Sequence, residues 1–293
     1  MSSRTDRLRG IYAMLCAAAI FSLMDTVMKL LAAHYPPMQV TALRGLTSLP
    51  LVCLYLGWRG GAGTLLKVRW SLQGLRGALG VTMLTLFAYG LKRLSLAEAY
   101  AIFFIAPTLI TALSVLLLKE QVDAARWGAI GVGLAGVLVV LRPVGGGLLT
   151  LGALAVLGAA ACYAVSAIAG RVLSRTDASA SMVFWLMLMM SAGGVLLGAP
   201  GWLPIRPGDY GLLVGLAASG FLGQLAVTEA FRLGDASTVA PFEYSALAWG
   251  VALDWLLWRT LPDRYTVLGA AIIMASGVYL VRREALPASA PHP

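Results

Sequence analysis

Pro241-Phe242-Glu243-Tyr244 sets a carboxylate between two aromatic rings, about six residues into an apolar stretch and two residues past a proline. Proline removes a backbone donor and opens a kink at which carbonyls can face a cavity. Ring faces beside a carboxylate suit an ammonium group or an amphipathic metabolite. A carboxylate partner within the membrane is the other reading: Glu243 shares a proton with Glu229 or pairs with an arginine such as Arg76. A second constellation is Asp25 and Lys29, four apart with the acid first, the favourable order for a pair along one helix. Either the two line the outer half of a central cavity and receive the charges of a zwitterion, or Lys29 snorkels to the outer surface and Asp25 neutralises it. An ionised side chain at the bilayer centre costs about 2.5–3.5 kcal/mol, so each charge in an apolar stretch needs a reason to be there. Arg44 and Arg76 are embedded deeply enough to need partners that the sequence does not name, whereas Glu98, Glu229 and Asp254 lie nearer segment ends, within reach of water. Tyr89, Tyr100, Phe103, Phe104, Tyr163, Phe184 and Trp185 either form an apolar pocket at mid-membrane or pack and face lipid.

Other chemistries lack their residues. Cys16, Cys53 and Cys162 sit singly in apolar stretches, and His34 and His292 are the only histidines, so neither a thiolate nor an imidazole metal site is expected. No G-x-x-x-x-G-K-[ST] phosphate loop occurs, which leaves a gradient or the solute's own concentration difference as a driving force. Leu233-Gly234-Asp235 lacks the first glycine of the G-x-G-D setting that paired-aspartate proteolysis requires. No cofactor is expected, and a membrane enzyme is a distant alternative.

These side chains must be positioned by elements of a membrane protein. Hydrophobic residues make up 59% of the 293 and charged residues 12%, with a mean hydropathy of +0.83. A water-soluble domain is excluded by that balance. Breaking the chain at polar, proline and glycine clusters gives ten apolar segments: 10–33, 37–57, 71–91, 94–118, 126–141, 148–173, 181–199, 208–231, 238–258 and 265–281. Thirteen Lys and Arg residues, among them Arg4, Arg7, Arg9, Lys67 and Arg69, fall on the side of the N-terminus and six on the other. That bias predicts both termini in the cytoplasm and accounts for most of the +9 net charge without nucleic acid. Arg4, Arg7 and Arg9 before an apolar run imitate a signal peptide. A copy of that run at mid-chain argues that it is retained.

The copy is part of a repeat. Gly10, Leu15, Ala17, Ala18, Ala19, Phe21, Lys29 and Leu31 recur, shifted by 142, as Gly152, Leu157, Ala159, Ala160, Ala161, Tyr163, Arg171 and Leu173. Arg93, Leu94 and Ala97 recur at a shift of 139, and Gly128, Ala129, Gly136 and Val137 at 141. Near-constant shifts mean a duplicated unit, residues 1–143 and 144–284, with 285–293 a disordered tail. Five segments in each unit make the copies antiparallel: an all-α fold of ten transmembrane helices in two inverted five-helix repeats. The copies differ at Ile102 against Pro241, Phe104 against Glu243 and Glu120 against Arg259, so the scaffold is symmetric while its binding chemistry is not.

Leu91-Lys92-Arg93-Leu94-Ser95-Leu96-Ala97-Glu98-Ala99, then Phe104-Ile105-Ala106-Pro107-Thr108 and Leu118-Lys119-Glu120, with their second-copy counterparts from Ala230 to Arg259, resemble the drug/metabolite transporter superfamily, in chains with two EamA-type domains. The resemblance is nearest to bacterial amino-acid and metabolite exporters of the YddG kind. Its pattern closes the fourth segment of each copy with an acid; Glu120 fits and Arg259 departs. The resemblance implies a multi-pass inner-membrane secondary transporter that exports small organic metabolites, amino acids and aromatic or other neutral ones among them, by alternating access. Segments 1, 3, 4, 6, 8 and 9 would line its pathway. The expected substrate contacts are Glu243, Tyr244, Phe242, Asp25, Lys29, Tyr163, Tyr100, Phe103, Trp185 and Tyr89, with Pro107 and Pro241 as hinges. A multidrug or cation carrier and a nucleotide-sugar carrier are alternatives of the same fold. Partners are then the solute and the lipid bilayer, with no nucleic acid. Small residues four apart in the fifth and tenth segments, such as Ala129 with Gly133 and Ala271 with Ala275, suit packing within a monomer or across a homodimer.

Overall fold

A computed structural model describes residues 4–58, 61–94, 96–120, 122–141 and 150–259, with isolated positions between 264 and 279. The tenth segment is described only in part and the tail 285–293 lies wholly outside the described residues. Long helices are α1 (Arg4–Ala32), α2 (Pro37–Trp58), α3 (Trp70–Leu91), α6 (Ala124–Leu141), α7 (Leu151–Leu173), α8 (Ser179–Gly198) and α9 (Tyr210–Leu233). All but α6 are long and apolar enough to cross a membrane. At 1.5 Å per residue, about 20 residues span the hydrocarbon core, and backbone groups in lipid must be satisfied within the helix.

The fourth and ninth segments are not continuous helices. The fourth divides into α4 (Leu96–Phe103), α5 (Ile105–Leu113) and a π-helical turn, Ser114–Leu118. Its break falls at Phe104 because Pro107 has no N–H to donate to the Phe103 carbonyl and its ring crowds that oxygen. In the ninth, α10 (Ala236–Val239) passes into a 3₁₀ turn, Ala240–Tyr244, and then α11 (Ser245–Trp258). Pro241 opens that turn, and Glu243 is therefore carried on 3₁₀ backbone, not six residues into a regular helix. Both broken segments end on a basic residue in left-handed conformation, Lys119 at φ 55° and Arg259 at φ 53°. The structural counterpart of Arg259 is thus Lys119, one place before Glu120. The mismatch of an acid with a base at this position came from a one-residue slip in the sequence register.

Pairing runs between the two halves of the chain. α1 packs along α9, α2 along α8 and α3 along α7. The first pair is antiparallel, since Gly10 lies against Gly234 at one end while Val27 lies against Gly215 at the other. Glycines permit the closest approaches. A Cβ on Gly45 would stand 2.6 Å from the Ser191 nitrogen, and one on Gly194 would stand 2.7 Å from the Ala42 nitrogen, so α2 and α8 touch backbone to backbone. Short polar latches tie the ends. Tyr35 donates to Asp209 Oδ2 at 2.6 Å, and Gln39 exchanges two bonds with the Leu203 backbone at 2.7 and 2.9 Å. At the other end Gln73 donates to Asp177 at 3.0 Å.

Candidate functional site

A cavity of about 140 Å³ lies at the centre, where the two halves meet. α1 turns Phe21 and Asp25 toward it, α2 Arg44, α3 Arg76 and Phe87, and α4 Tyr100 and Phe103. The second half contributes Tyr163 from α7, Leu186 and four other apolar contacts from α8 and α9, Gln224 and Thr228 from α9, and Glu243 from the 3₁₀ turn. Positions 21 and 25, and likewise 224 and 228, are one helical turn apart, which puts each pair on one face. Besides the expected segments 1, 3, 4, 6, 8 and 9, the second and seventh, α2 and α8, line the cavity as well.

Each carboxylate in the wall is held by a phenol. Tyr100 donates to Asp25 Oδ2 at 2.9 Å, and Tyr163 donates to Glu243 Oε1 at 2.9 Å. The copies exchange the two partners. In the first half α1 gives the acid and the fourth segment the phenol; in the second, α7 gives the phenol and the ninth segment the acid. Rings connect the pairs. Phe87 stacks on Tyr100 with centroids 6.4 Å apart and meets Phe103 edge-on at 5.2 Å, and Phe103 reaches Tyr163 at 5.4 Å. Methionines 14, 24, 83, 182 and 190 complete the wall. Their polarizable sulfurs and the aromatic edges suit a flat, conjugated solute over an aliphatic one.

Of the residues expected from sequence to contact a substrate, Glu243, Asp25, Tyr163, Tyr100 and Phe103 meet in this wall. Five others lie elsewhere. Lys29 leaves Asp25 and stands 5.0 Å over the Trp258 ring. Tyr89 stacks beneath the Arg93 guanidinium at 3.7 Å. Trp185 donates to the Leu65 carbonyl at 2.9 Å and packs edge-on against Trp70. Phe242 is buried in a separate apolar cluster with Ile110 and Ala129, and Tyr244 points at Phe104 and Gly133. A 3₁₀ turn advances about 120° per residue, which turns the neighbours of Glu243 away from the cavity. Glu229 takes no part with Glu243; it sits 3.5 Å from Arg232 on its own helix. The two prolines are buried, beside the break at Phe104 and at the start of the 3₁₀ turn.

Arg44 and Arg76, embedded in their segments, find partners that the sequence does not name. Arg44 Nη2 donates to Gln224 Oε1 at 3.2 Å, with Phe21 beneath the guanidinium at 5.5 Å. Arg76 Nη1 donates to the Met182 carbonyl at 3.3 Å. Arg171, the repeat counterpart of Lys29, is the centre of a latch. It donates to the Phe231 carbonyl at 2.7 Å and to Asp235 Oδ1 at 2.8 Å, and its Nε lies 3.9 Å from Glu120. Glu120 also accepts from the Ala236 nitrogen at 3.2 Å. The latch therefore joins the end of the first half's broken segment to the start of the second half's.

Comparison with known proteins gives the arrangement its family. The EamA-like transporter family matches residues 8–142 and again 150–283. A riboflavin transporter of Vibrio cholerae is 28% identical over 97% of this chain and 96% of its own. A pseudopaline exporter of Pseudomonas aeruginosa is 24% identical over 94% and 96%, and an S-adenosylmethionine uptake transporter of Rickettsia conorii is 27% identical over 94% of each. A crystal structure with 20% identity superposes at a TM-score of 0.75, covering 96% of this chain and 99% of the other, and so shares the fold. With both of its halves matched by one family, this chain belongs to the EamA-like transporters of the drug/metabolite superfamily: a multi-pass inner-membrane transporter of small molecules, and not an enzyme.

Proposed function

We propose that the protein is a secondary transporter that exports amino acids and other small metabolites with a planar ring across the inner membrane. Two inverted five-helix halves, residues 1–143 and 144–284, would alternate in opening the central cavity to either side, with both termini in the cytoplasm. The observation that carries the reading is the cavity itself. It lies between the halves, is walled by aromatic rings and methionines, and holds two carboxylates, Asp25 and Glu243, each tied to a phenol from another helix. Antiparallel packing of α1 on α9, with α2 on α8 and α3 on α7, supports the inverted arrangement. The left-handed ends at Lys119 and Arg259 support it too, because they recur at matching places in the two broken segments.

Ring-bearing cargo follows from the wall, and the relatives' names extend it. Riboflavin and S-adenosylmethionine stand beside amino acids as members of the solute class. Breaks at Phe104 and in the 3₁₀ turn give Pro107 and Pro241 their role as hinges: helix halves that share few backbone bonds can tilt separately. The test is uptake into proteoliposomes across a panel of amino acids, riboflavin, S-adenosylmethionine, cationic drugs and nucleotide sugars. Uptake of aromatic amino acids or riboflavin above protein-free vesicles, lowered at least tenfold by Glu243→Gln, is the expected result. Flux of cations alone, or flux indifferent to that substitution, overturns the reading.

A further inference from the structure

Arg44 and Arg76 are 3% and 6% exposed, and both line the cavity. A guanidinium carries five N–H donors in a planar fork and no acceptor. Among the described residues, one acceptor oxygen serves each, at 3.2 and 3.3 Å, and the buried Nε of each has no hydrogen-bond partner. Neither has a carboxylate oxygen within 4.0 Å among the described residues. Phe21 covers a face of Arg44 but offers nothing in the plane of the fork. The carboxylates are in the opposite condition, for Asp25 and Glu243 each accept from a phenol at 2.9 Å. The wall therefore has its acids partly satisfied and its bases wanting acceptors.

That imbalance belongs to one half of the molecule. Arg44 lies seven residues after the start of α2, and the residue seven after the start of α8 is Leu186; Arg76 lies six after the start of α3, and six after the start of α9 is Leu216. A scaffold arginine would be expected in both copies or to be saturated by backbone carbonyls, because an unmet buried donor is costly. Two cavity-lining guanidiniums present in one copy only, and under-bonded there, point to a ligand.

We propose that Arg44 and Arg76 form an oxyanion subsite in the central cavity, so that the transported solute carries a carboxylate or a phosphate as well as its ring. The assignment rests on the transporter reading of that cavity and narrows its substrate class. The oxyanion docks against the fork of each guanidinium, while the ring lies along Phe87, Phe103 and Tyr163. Any ammonium group on the solute faces the Asp25 or Glu243 side.

Thermal unfolding of the full chain in lipid nanodiscs, followed by tryptophan fluorescence, tests this with four probes that share a ring: phenylacetate, phenyl phosphate, phenylacetamide and phenethylamine. One or both anions should bind at least tenfold more tightly than phenylacetamide. Whichever anion binds more tightly identifies the carboxylate or the phosphate as the natural group. Arg44→Gln and Arg76→Gln should each reduce anion affinity to that of the amide. Where a Gln variant gives no cooperative transition, Arg→Lys keeps the charge but loses the fork; anion affinity should then fall threefold or more with the amide unchanged. Equal binding of amide and anions, tightest binding of phenethylamine, no stabilisation by either anion, or anion binding indifferent to the substitutions overturns the subsite. Solute flux in the proteoliposome panel without anion preference removes the subsite and leaves the transporter standing, while anion binding without flux of any solute does the reverse.

Discussion

Tyr163→Phe removes a single oxygen from the cavity wall, the one that donates to Glu243 Oε1 at 2.9 Å. It leaves the ring that packs on Phe103 at 5.4 Å in place, so the wall keeps its shape. Among the described residues the Glu243 carboxylate has no other hydrogen-bond partner. A hydrogen bond is worth about 1 kcal/mol net between neutral groups and about 1.5–3 kcal/mol when one partner is charged. Most of that is expected here, since both groups lie in a largely apolar wall where water cannot fully replace the lost donor. Single substitutions also disturb solvation, so the pair is isolated by a double-mutant cycle with Tyr163→Phe, Glu243→Leu and the double variant, since a glutamine would keep an acceptor oxygen. Unfolding free energies from detergent titration should show a coupling of about 1–3 kcal/mol, a factor of about 5–150 in the equilibrium. The same cycle on Tyr100 and Asp25, also at 2.9 Å, should give a coupling of like size. A coupling below about 0.3 kcal/mol for both pairs, which is the scatter expected of independent sites, would refute the view that phenols hold these carboxylates.

Helix contact at α2 and α8 gives a second expectation. Gly45→Ala and Gly194→Ala place a Cβ within 2.8 Å of backbone atoms that cannot rotate away, and each should lower stability by about 2–3 kcal/mol in a thermal melt. Gly57→Ala on the same α2 meets nothing within 4 Å and should leave the midpoint unchanged or raise it. Lys119→Gly and Arg259→Gly relieve a positive φ and should each raise stability by roughly 1 kcal/mol, whereas Lys119→Val should lower it; circular dichroism melts decide both. At the latch, Asp235→Asn should cost under about 1 kcal/mol because its side chain is 41% exposed. Arg171→Gln should cost more, about 1.5–3 kcal/mol in the same melts, since it also frees the Phe231 carbonyl that Arg171 meets at 2.7 Å.

The architecture was legible because its signals are local. A run of about 20 apolar residues is enough to require a membrane helix, whatever surrounds it. Constant shifts between Gly10 and Gly152 or Arg93 and Arg232 reveal duplication without reference to any contact. Pro107 and Pro241 likewise mark breaks by their own chemistry, since neither can donate a backbone bond. Even so, the local signal left the rotation around the second break open. Once Ala240–Tyr244 winds as a 3₁₀ turn, Glu243 faces the cavity while Phe242 and Tyr244 do not.

Charge partners were legible only in part, and the reason is distance along the chain. Four-residue spacing suggested Asp25 with Lys29, but Asp25 is bonded to Tyr100, 75 residues away, and Lys29 lies over Trp258. Glu243 meets Tyr163 across 80 residues and Arg44 meets Gln224 across 180. Hydropathy, proline chemistry and repeat spacing act residue by residue, and they suffice to establish a duplicated, helical membrane chain with a few expensive charges inside it. Which charges face one cavity and which lack partners there is fixed in three dimensions, by how α1, α2, α3, α7 and α9 rotate against one another when their glycine-lined faces close.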